Sequence, residues 1–337
     1  MVYFKINPLD TMFFRDGISY NMGETQTNVE SMFPPSPSTV VGAIRARIAM
    51  NLGWSGKGEW NQDISEVIGS GNHLGKLIFD GPFVGYKNEM IFPIPMNVLG
   101  SKKEENKYEI NVIMPRKEIL SDMGEIKYPA MVANTGVKVI ENSYITASTL
   151  QKLLEGTNNH HIDTIHFDEV FKKEPSVGIK RDEVKLTVKE GNLFSRIFVR
   201  MEKDSYLIMK LECNGCVSVL DNLKGIVTLG GESKGAYIEE MEKPAFPETH
   251  VEYENNRFMV YFATPADIGK ITINSEISEL GNAKIISGCI GTPLMIGGWN
   301  FKNGPEELRP YIPPGSVLFM EANGNTNIKS FNNIKIG

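Results

Sequence analysis

The chain has 337 residues, enough for two average domains or one large one, with 41% hydrophobic and 23% charged side chains. That usage excludes a wholly disordered chain, a collagen and a coiled coil. Thirty-five basic against 41 acidic residues leave a formal charge of −6. Coating of nucleic acid through a bulk positive field is therefore excluded, and any such contact must be local or shared with a partner.

The first residues, MVYFKINP, carry no basic segment followed by a long apolar run, so no signal peptide is expected. No run of about 18 apolar residues offers a membrane span, and three cysteines fit a reduced cytoplasmic chain. Residues 2–6 read as an opening strand, and residues 31–38 (SMFPPSPS) as a proline-stiffened loop. A helix is expected over 39–52, capped by Ser36 or Ser38 with Pro37 tolerated at its first position. At 100° per residue Val40, Val41, Ile44, Ile48 and Leu52 share a stripe, while Gly42, Ala43, Ala46, Ala49 and Met50 fill the far side. A helix without a polar face is buried on both sides or docks on a partner.

Residues 53–75 read as an irregular insertion, Lys76–Val84 and Met90–Val98 as strands, and the charged stretch 101–109 as a flexible loop. The segment 92–95 (FPIP) belongs at a sheet edge, because proline cannot donate to a central ladder. A short helix is expected over 148–155. The polar stretch 156–168 marks a boundary between domains 1–156 and 169–337. In the second half, strands are expected at 184–189, 193–201, 205–212, 226–229, 235–241, 257–263 and 316–321. Helices are expected over Val217–Leu223 and from Pro265, with Thr264 as cap. Many strands with few helices make an α+β fold, not a doubly wound sheet.

The motifs leave the chemistry open. In Leu229–Gly235 (LGGESKG), three glycines permit close backbone approach, and Ser233 and Lys234 can donate to phosphate oxygens. A plain tight turn accounts for the segment equally well, and the nucleotide P-loop order is absent. Arginine is scarce, nine residues against 26 lysines. Arg45, Arg47, Arg181, Arg196 and Arg200 make up five of the nine, and arginine is the better residue for bidentate phosphate contacts. A solvated strand face serves for Arg196 and Arg200 as well as phosphate contact does. Cys213 and Cys216 form one isolated C-x-x-C, short of the ligands a structural zinc needs. His160, His161, Asp163, His166 and Asp168 lie in the expected linker and read as a solvated loop. No Ser/His/Asp or Cys/His arrangement can be built from the five histidines at 73, 160, 161, 166 and 250.

Several segments taken together resemble a known family: Pro8–Gly17 (PLDTMFFRDG), Phe33–Arg45 (FPPSPSTVVGAIR), Gly81-Pro82, Phe92–Pro95, Val177–Ile179, Gly191–Leu193, Leu229–Ser233, Thr264–Ala266, Gly297–Trp299 and Pro314–Val317. Their order and spacing, over residues 1 to about 321, resemble the third-subunit family of the Cmr module. These are RAMP (repeat-associated mysterious protein) subunits of type III-B CRISPR effector complexes. The resemblance implies two ferredoxin-like (RRM-related) domains and a non-catalytic role, with no cofactor and no catalytic residue. It implies partners as well: the 5′ tag of CRISPR RNA, the large polymerase/cyclase subunit and the first backbone RAMP subunit.

Carried over by residue, RNA contacts are expected from Phe14, Arg15 and Asp16 in the N-terminal motif loop and from Ser38, Thr39 and Arg45 on the first helix. Further contacts are expected from Lys180 and Arg181 after Val-Gly-Ile, and from Gly230, Gly231, Ser233 and Lys234 in the Gly-rich loop. Ser176 stands where relatives often carry a basic residue, and Lys234 where arginine is frequent. The alternative within the same superfamily is a metal-independent RAMP endoribonuclease that processes repeat RNA. Such enzymes commonly use histidine as acid or base, and the first 72 residues contain none.

Overall fold

The computed structural model describes residues 1–15, 29–71, 73–115, 119–121, 124–126, 136–156, 160–181, 188–221, 223–247, 256–280, 282–300 and 304–322. Strands dominate and helices are few, the α+β composition expected. The chain forms two compact units, each drawn from separated stretches of sequence. Unit 1 comprises Met1–Asn88, Asp168–Pro244 and Met295–Arg309; unit 2 comprises Glu89–Phe167, Ala245–Leu294 and Pro310–Gly337. Among the described residues no helix is long and apolar enough to cross a membrane.

The elements of unit 1 that position the site are, in chain order, β1 (Val2–Pro8), β2 (Val29–Glu30), α1 (Pro37–Asn51), α2 (Gln62–Ile68), β3 (Leu77–Tyr86), β4 (Phe171–Arg181), β5 (Val188–Met201), β6 (Ser205–Cys213), β7 (Gly225–Thr228) and β8 (Gly235–Met241). Five of them form an antiparallel stretch of sheet in the order β3-β6-β1-β8-β7. Phe4 and Ile6 on β1 and Leu207, Met209 and Leu211 on β6 are each buried to within 1%, and Tyr206 and Ile208 on the other face of β6 are buried too, so this strand is covered on both sides. β4 and β5 make a long hairpin, to whose second strand the short β2 adds in parallel.

α1 starts at Pro37, with Ser36 before it. The Ser36 hydroxyl does not cap a backbone amide; it bonds the hydroxyls of Ser38 (3.0 Å) and Thr39 (2.8 Å). Val40, Val41, Ile44 and Ile48 are buried, and so are Ala43 and Ala49. The open line is Ser38, Gly42, Ala46 and Met50, residues four apart, in which Ser38, Gly42 and Met50 are exposed and Ala46 is half-buried. The insertion after α1 holds a further helix, α2. Its first turn is capped by the Asn61 carboxamide oxygen, which accepts from the Ile64 amide at 2.9 Å.

Unit 2 carries a small hairpin, Ile119–Ser121 with Gly124–Ile126, and three larger sheet portions. One runs His161–Asp163, Lys107–Val112, Val98–Glu104, Lys138–Val139; a second joins Ile165–His166, Ser143–Thr146 and Glu89–Pro93. The third runs Arg257–Tyr261, Val317–Glu321, Ala283–Cys289, Glu276–Ile277. Phe262, Leu280, Ala283, Ile285, Leu318 and Met320 fill the core under the last of these.

Five expectations are corrected. The charged stretch 101–109 is a hairpin, not a flexible loop: Asn106 takes the left-handed conformation at its turn (φ +58°), and Lys103–Glu109 and Lys107–Glu104 pair at 2.6 and 2.9 Å. The His-rich segment is not a solvated loop, because His161–Asp163 pairs with Lys107–Glu109 and Ile165–His166 with Ser143–Tyr144. No helix follows Thr264; Ala266 exchanges both backbone hydrogen bonds with Ile312 (3.1 and 2.9 Å). The expected helix from Val217 is one 3-10 turn, Val217–Leu220. Cys213 and Cys216 are joined as a disulfide across Asn214-Gly215, whereas free thiols were expected.

Candidate nucleic-acid interface

Three segments far apart in sequence meet in unit 1: the N-terminal motif loop after β1, the hairpin β4–β5, and the glycine turn between β7 and β8. Met12 exchanges backbone hydrogen bonds with Val199 of β5 (2.7 and 2.9 Å). The Gly231 amide donates to the Phe13 carbonyl at 2.8 Å, and the Leu9 amide to the Gly235 carbonyl at 3.0 Å. Gly230 (φ +76°) lies so close that a Cβ there would stand 2.6 Å from the Phe13 carbonyl oxygen. Glu232 and Ser233 continue the turn with φ of +61° and +52°. The glycines therefore serve first to seat the turn on Phe13 and Phe14.

Basic side chains gather over this junction. Lys234 Nζ donates to Thr11 Oγ1 (3.1 Å) and Asp10 Oδ2 (3.4 Å) and lies 5.1 Å from the centre of the Phe198 ring. Arg200 binds Glu174 through Nε and through Nη2 (3.1 Å), and reaches Asp10 Oδ1 at 3.3 Å. Arg196 pairs with Glu232 at 2.7 Å and lies 5.8 Å from the Phe13 ring centre, and Phe13 in turn packs on Phe198 at 5.4 Å. The Thr11 amide, then Lys234 and Arg200, hold the Asp10 carboxyl below its usual range; the bond from Arg200 does the same for Glu174. Farther along, Lys173 pairs with Glu30 at 2.7 Å.

The twelve residues expected to touch RNA divide by position. Gly230, Gly231, Ser233 and Lys234 form the turn, with Ser233 exposed. Arg15 is exposed and bridges to Ser31. Phe14 is buried at 4%, its amide donating to Ser31 Oγ at 2.7 Å, so it shapes the loop from within. Ser38 is exposed and Thr39 half-buried at the start of α1. Arg45 is turned inward: 7% exposed, it donates to the carbonyls of Gly71 (2.8 Å) and His73 (3.3 Å) beneath the Trp60 ring, and burial lowers its pKa. That side chain supports the loop at Gly71–His73. Lys180 and Arg181 end β4, Arg181 opposite Val188. Asp16 lies outside the described residues.

Sequence reasoning kept Arg196 and Arg200 outside the expected contacts, and it missed Asp10, Glu174 and Glu232. The signal at hand was the scarcity of arginine; their pairing with acids depends on strand register. Among the described residues no group of three or more His, Cys, Asp or Glu is placed to hold a metal. His73 accepts a hydrogen bond from the Gly75 amide at 3.1 Å, and His250 lies outside the described residues.

Over residues 4–333 the chain matches the family described as CRISPR-associated protein (Cas_Cmr3). No curated protein matches the sequence. Among solved structures, it resembles a chain of the Type III-B Cmr-beta bound to cognate target RNA and AMPPnP, state 1. The identity is 18% and the TM-score 0.55, over 94% of this chain and 86% of that one. A chain of the Type III-B Cmr-beta bound to cognate target RNA is similar at 17% identity and TM-score 0.54, with the same coverage. At such identity the likeness speaks for the fold.

Proposed function

We propose, from the premise that this chain belongs to the CRISPR-associated Cas_Cmr3 family, that it is a non-catalytic CRISPR RNA-binding subunit of a type III-B (Cmr) RNA-targeting effector. It holds the 5′ tag of the guide, in the cytoplasm, and docks on the large polymerase/cyclase subunit and the first backbone RAMP subunit. The observation that carries the reading is the convergence in unit 1 of the N-terminal motif loop, the glycine turn and the β4–β5 hairpin. Together they bring Lys234 and Arg196 over the aromatic pair Phe13 and Phe198, with Arg200 joined to Lys234 through Asp10. Cations beside aromatic rings on glycine-permitted backbone suit single-stranded RNA.

The strand order supports a ferredoxin-like RAMP module in unit 1. β1, α1, β3, β6, the 3-10 turn and β8 come in the order β-α-β-β-α-β, with β2, α2, the β4–β5 hairpin and β7 inserted between them, and align as β8-β1-β6-β3, the second helix being shrunk to a turn. Unit 2 is the second module on this reading. Contact with the tag comes from Arg15, Ser38, Thr39, Ser233 and Lys234, with Lys180 and Arg181 at the end of the hairpin, and Arg196 and Arg200 are added. Phe14, Gly230 and Gly231 shape the surface.

The test is crosslinking of the guide in a reconstituted complex. The double variant Ser233→Ala with Lys234→Glu is expected to lose most crosslinks to the tag while the complex still assembles. Crosslinks at wild-type yield would refute the assignment. Incubation of the purified chain with repeat RNA in EDTA is expected to leave the RNA intact; cleavage at one position would establish the nuclease alternative instead.

A further inference from the structure

Lys234, Arg196 and Arg200 each already have a carboxylate. Asp10 gives one oxygen to Lys234 and the other to Arg200, Glu174 binds Arg200, and Glu232 binds Arg196. These three positive and three negative groups cancel. The pairs are layered unevenly. At Lys234 and Arg196 the acid stands outermost, Asp10 and Glu232 being 60% and 45% exposed against 23% and 30%, whereas Arg200 (45%) and Glu174 (42%) are about equally exposed. Lys234 and Arg196 also keep an aromatic neighbour, Phe198 and Phe13, that does not depend on the acid. An acid can swing into water while its cation stays in place.

We infer that Asp10, Glu174 and Glu232 are internal counter-ions that an RNA backbone displaces on binding, and that they set which strands the site accepts. The inference rests on the RNA-binding reading above and names the regulation of that same site. Exposed ion pairs are individually weak and exchange readily. A strand offering several phosphates at once replaces all three acids and gains at each cation, whereas a lone anion must compete with a tethered carboxylate. The acids thus raise the threshold for binding, and strands that reach only one cation are rejected.

The sign of the effect tests this. Binding of a single-stranded RNA with the 5′-tag sequence to the full-length chain is followed by fluorescence anisotropy across a salt series. Removing one acid charge (D10N, E174Q or E232Q) is expected to tighten binding about two- to five-fold. The triple variant should gain about ten-fold or more, with an unrelated RNA gaining as much as the tag. Its log–log salt slope should stay close to that of the wild type, since the same three cations meet phosphates in both complexes.

Unchanged or weaker binding by the triple variant, with Arg196→Ala/Lys234→Ala still weakening it, would overturn the inference and leave the site standing. If Arg196→Ala/Lys234→Ala has no effect even in the assembled complex, the site itself fails. Should the triple variant not fold, E232Q at the exposed tip of the turn decides alone: tighter binding supports the inference, any other result overturns it.

Discussion

At Gly230 a single missing carbon determines whether two loops can meet. The residue combines a left-handed backbone (φ +76°) with a Cβ direction that points 2.6 Å from the Phe13 carbonyl oxygen. That atom is backbone and cannot rotate away. Gly230→Ala is therefore expected to destabilise the chain by about 2 kcal/mol, measured by denaturant unfolding. Faster hydrogen exchange is expected at the Gly231 amide, which donates to that same carbonyl. Stability unchanged from wild type would refute the packing argument. The charged residues differ in kind. Asp10 and Glu174 have depressed pKa values, so whatever their pairs contribute is complete above about pH 4 and lost as pH falls through the lowered values. Both are ionised at neutral pH and available to hold Arg200 and Lys234.

Among the elements, α1 shows how a uniformly apolar sequence chooses its buried side. Ile44 is 1% exposed and Gly42, two residues away, would place a Cβ in open space. Ile44→Ala is expected to cost about 3 kcal/mol through a cavity under the helix. Gly42→Ala is expected to add about 0.5–1 kcal/mol by removing backbone entropy from the unfolded chain. Thermal or denaturant unfolding of the pair checks both; a stabilising Ile44→Ala or a strongly destabilising Gly42→Ala would mean the helix is turned the other way. Spacing alone marked Val40, Val41, Ile44 and Ile48 as buried, but it also put Leu52 in the stripe, which is 40% exposed just past the helix end. It did not mark the side that remains open, because alanine and methionine carry no polarity. The hairpin of Val98–Glu104 and Lys107–Val112 was missed for the converse reason: its charges looked like solvated loop. Only pairing across the strands gives Lys103 and Lys107 their partners.

For the molecule as a whole, charge dominates. A net charge of −6 and the pairing of Lys234, Arg196 and Arg200 with acids both oppose RNA binding by the isolated chain. Weak binding of single-stranded RNA that disappears at raised salt is expected, with tight binding only in the assembled complex. Filter binding from about 50 to 200 mM salt reads this directly; tight, salt-insensitive binding by the monomer would contradict it. The two compact units also cut across the linear order, since unit 1 takes β1 to β3 from one end of the sequence and β4 to β8 from the middle. Local composition cannot announce such a division, because segments joined by sheet hydrogen bonds need not be neighbours in sequence.

By itself the sequence determined the α+β class, the strand at Gly235–Met241, the proline-led first helix, and the motif set that identifies the family. These rest on periodicity, proline and glycine chemistry, and fixed residue order, all of them local. Only the tertiary structure decided that Arg45 faces inward, that the glycine turn seats on Phe13, and that Asp10, Glu174 and Glu232 occupy the basic groups. Each of those is a contact between residues tens to hundreds of positions apart, fixed by strand register and close packing, which no local pattern encodes.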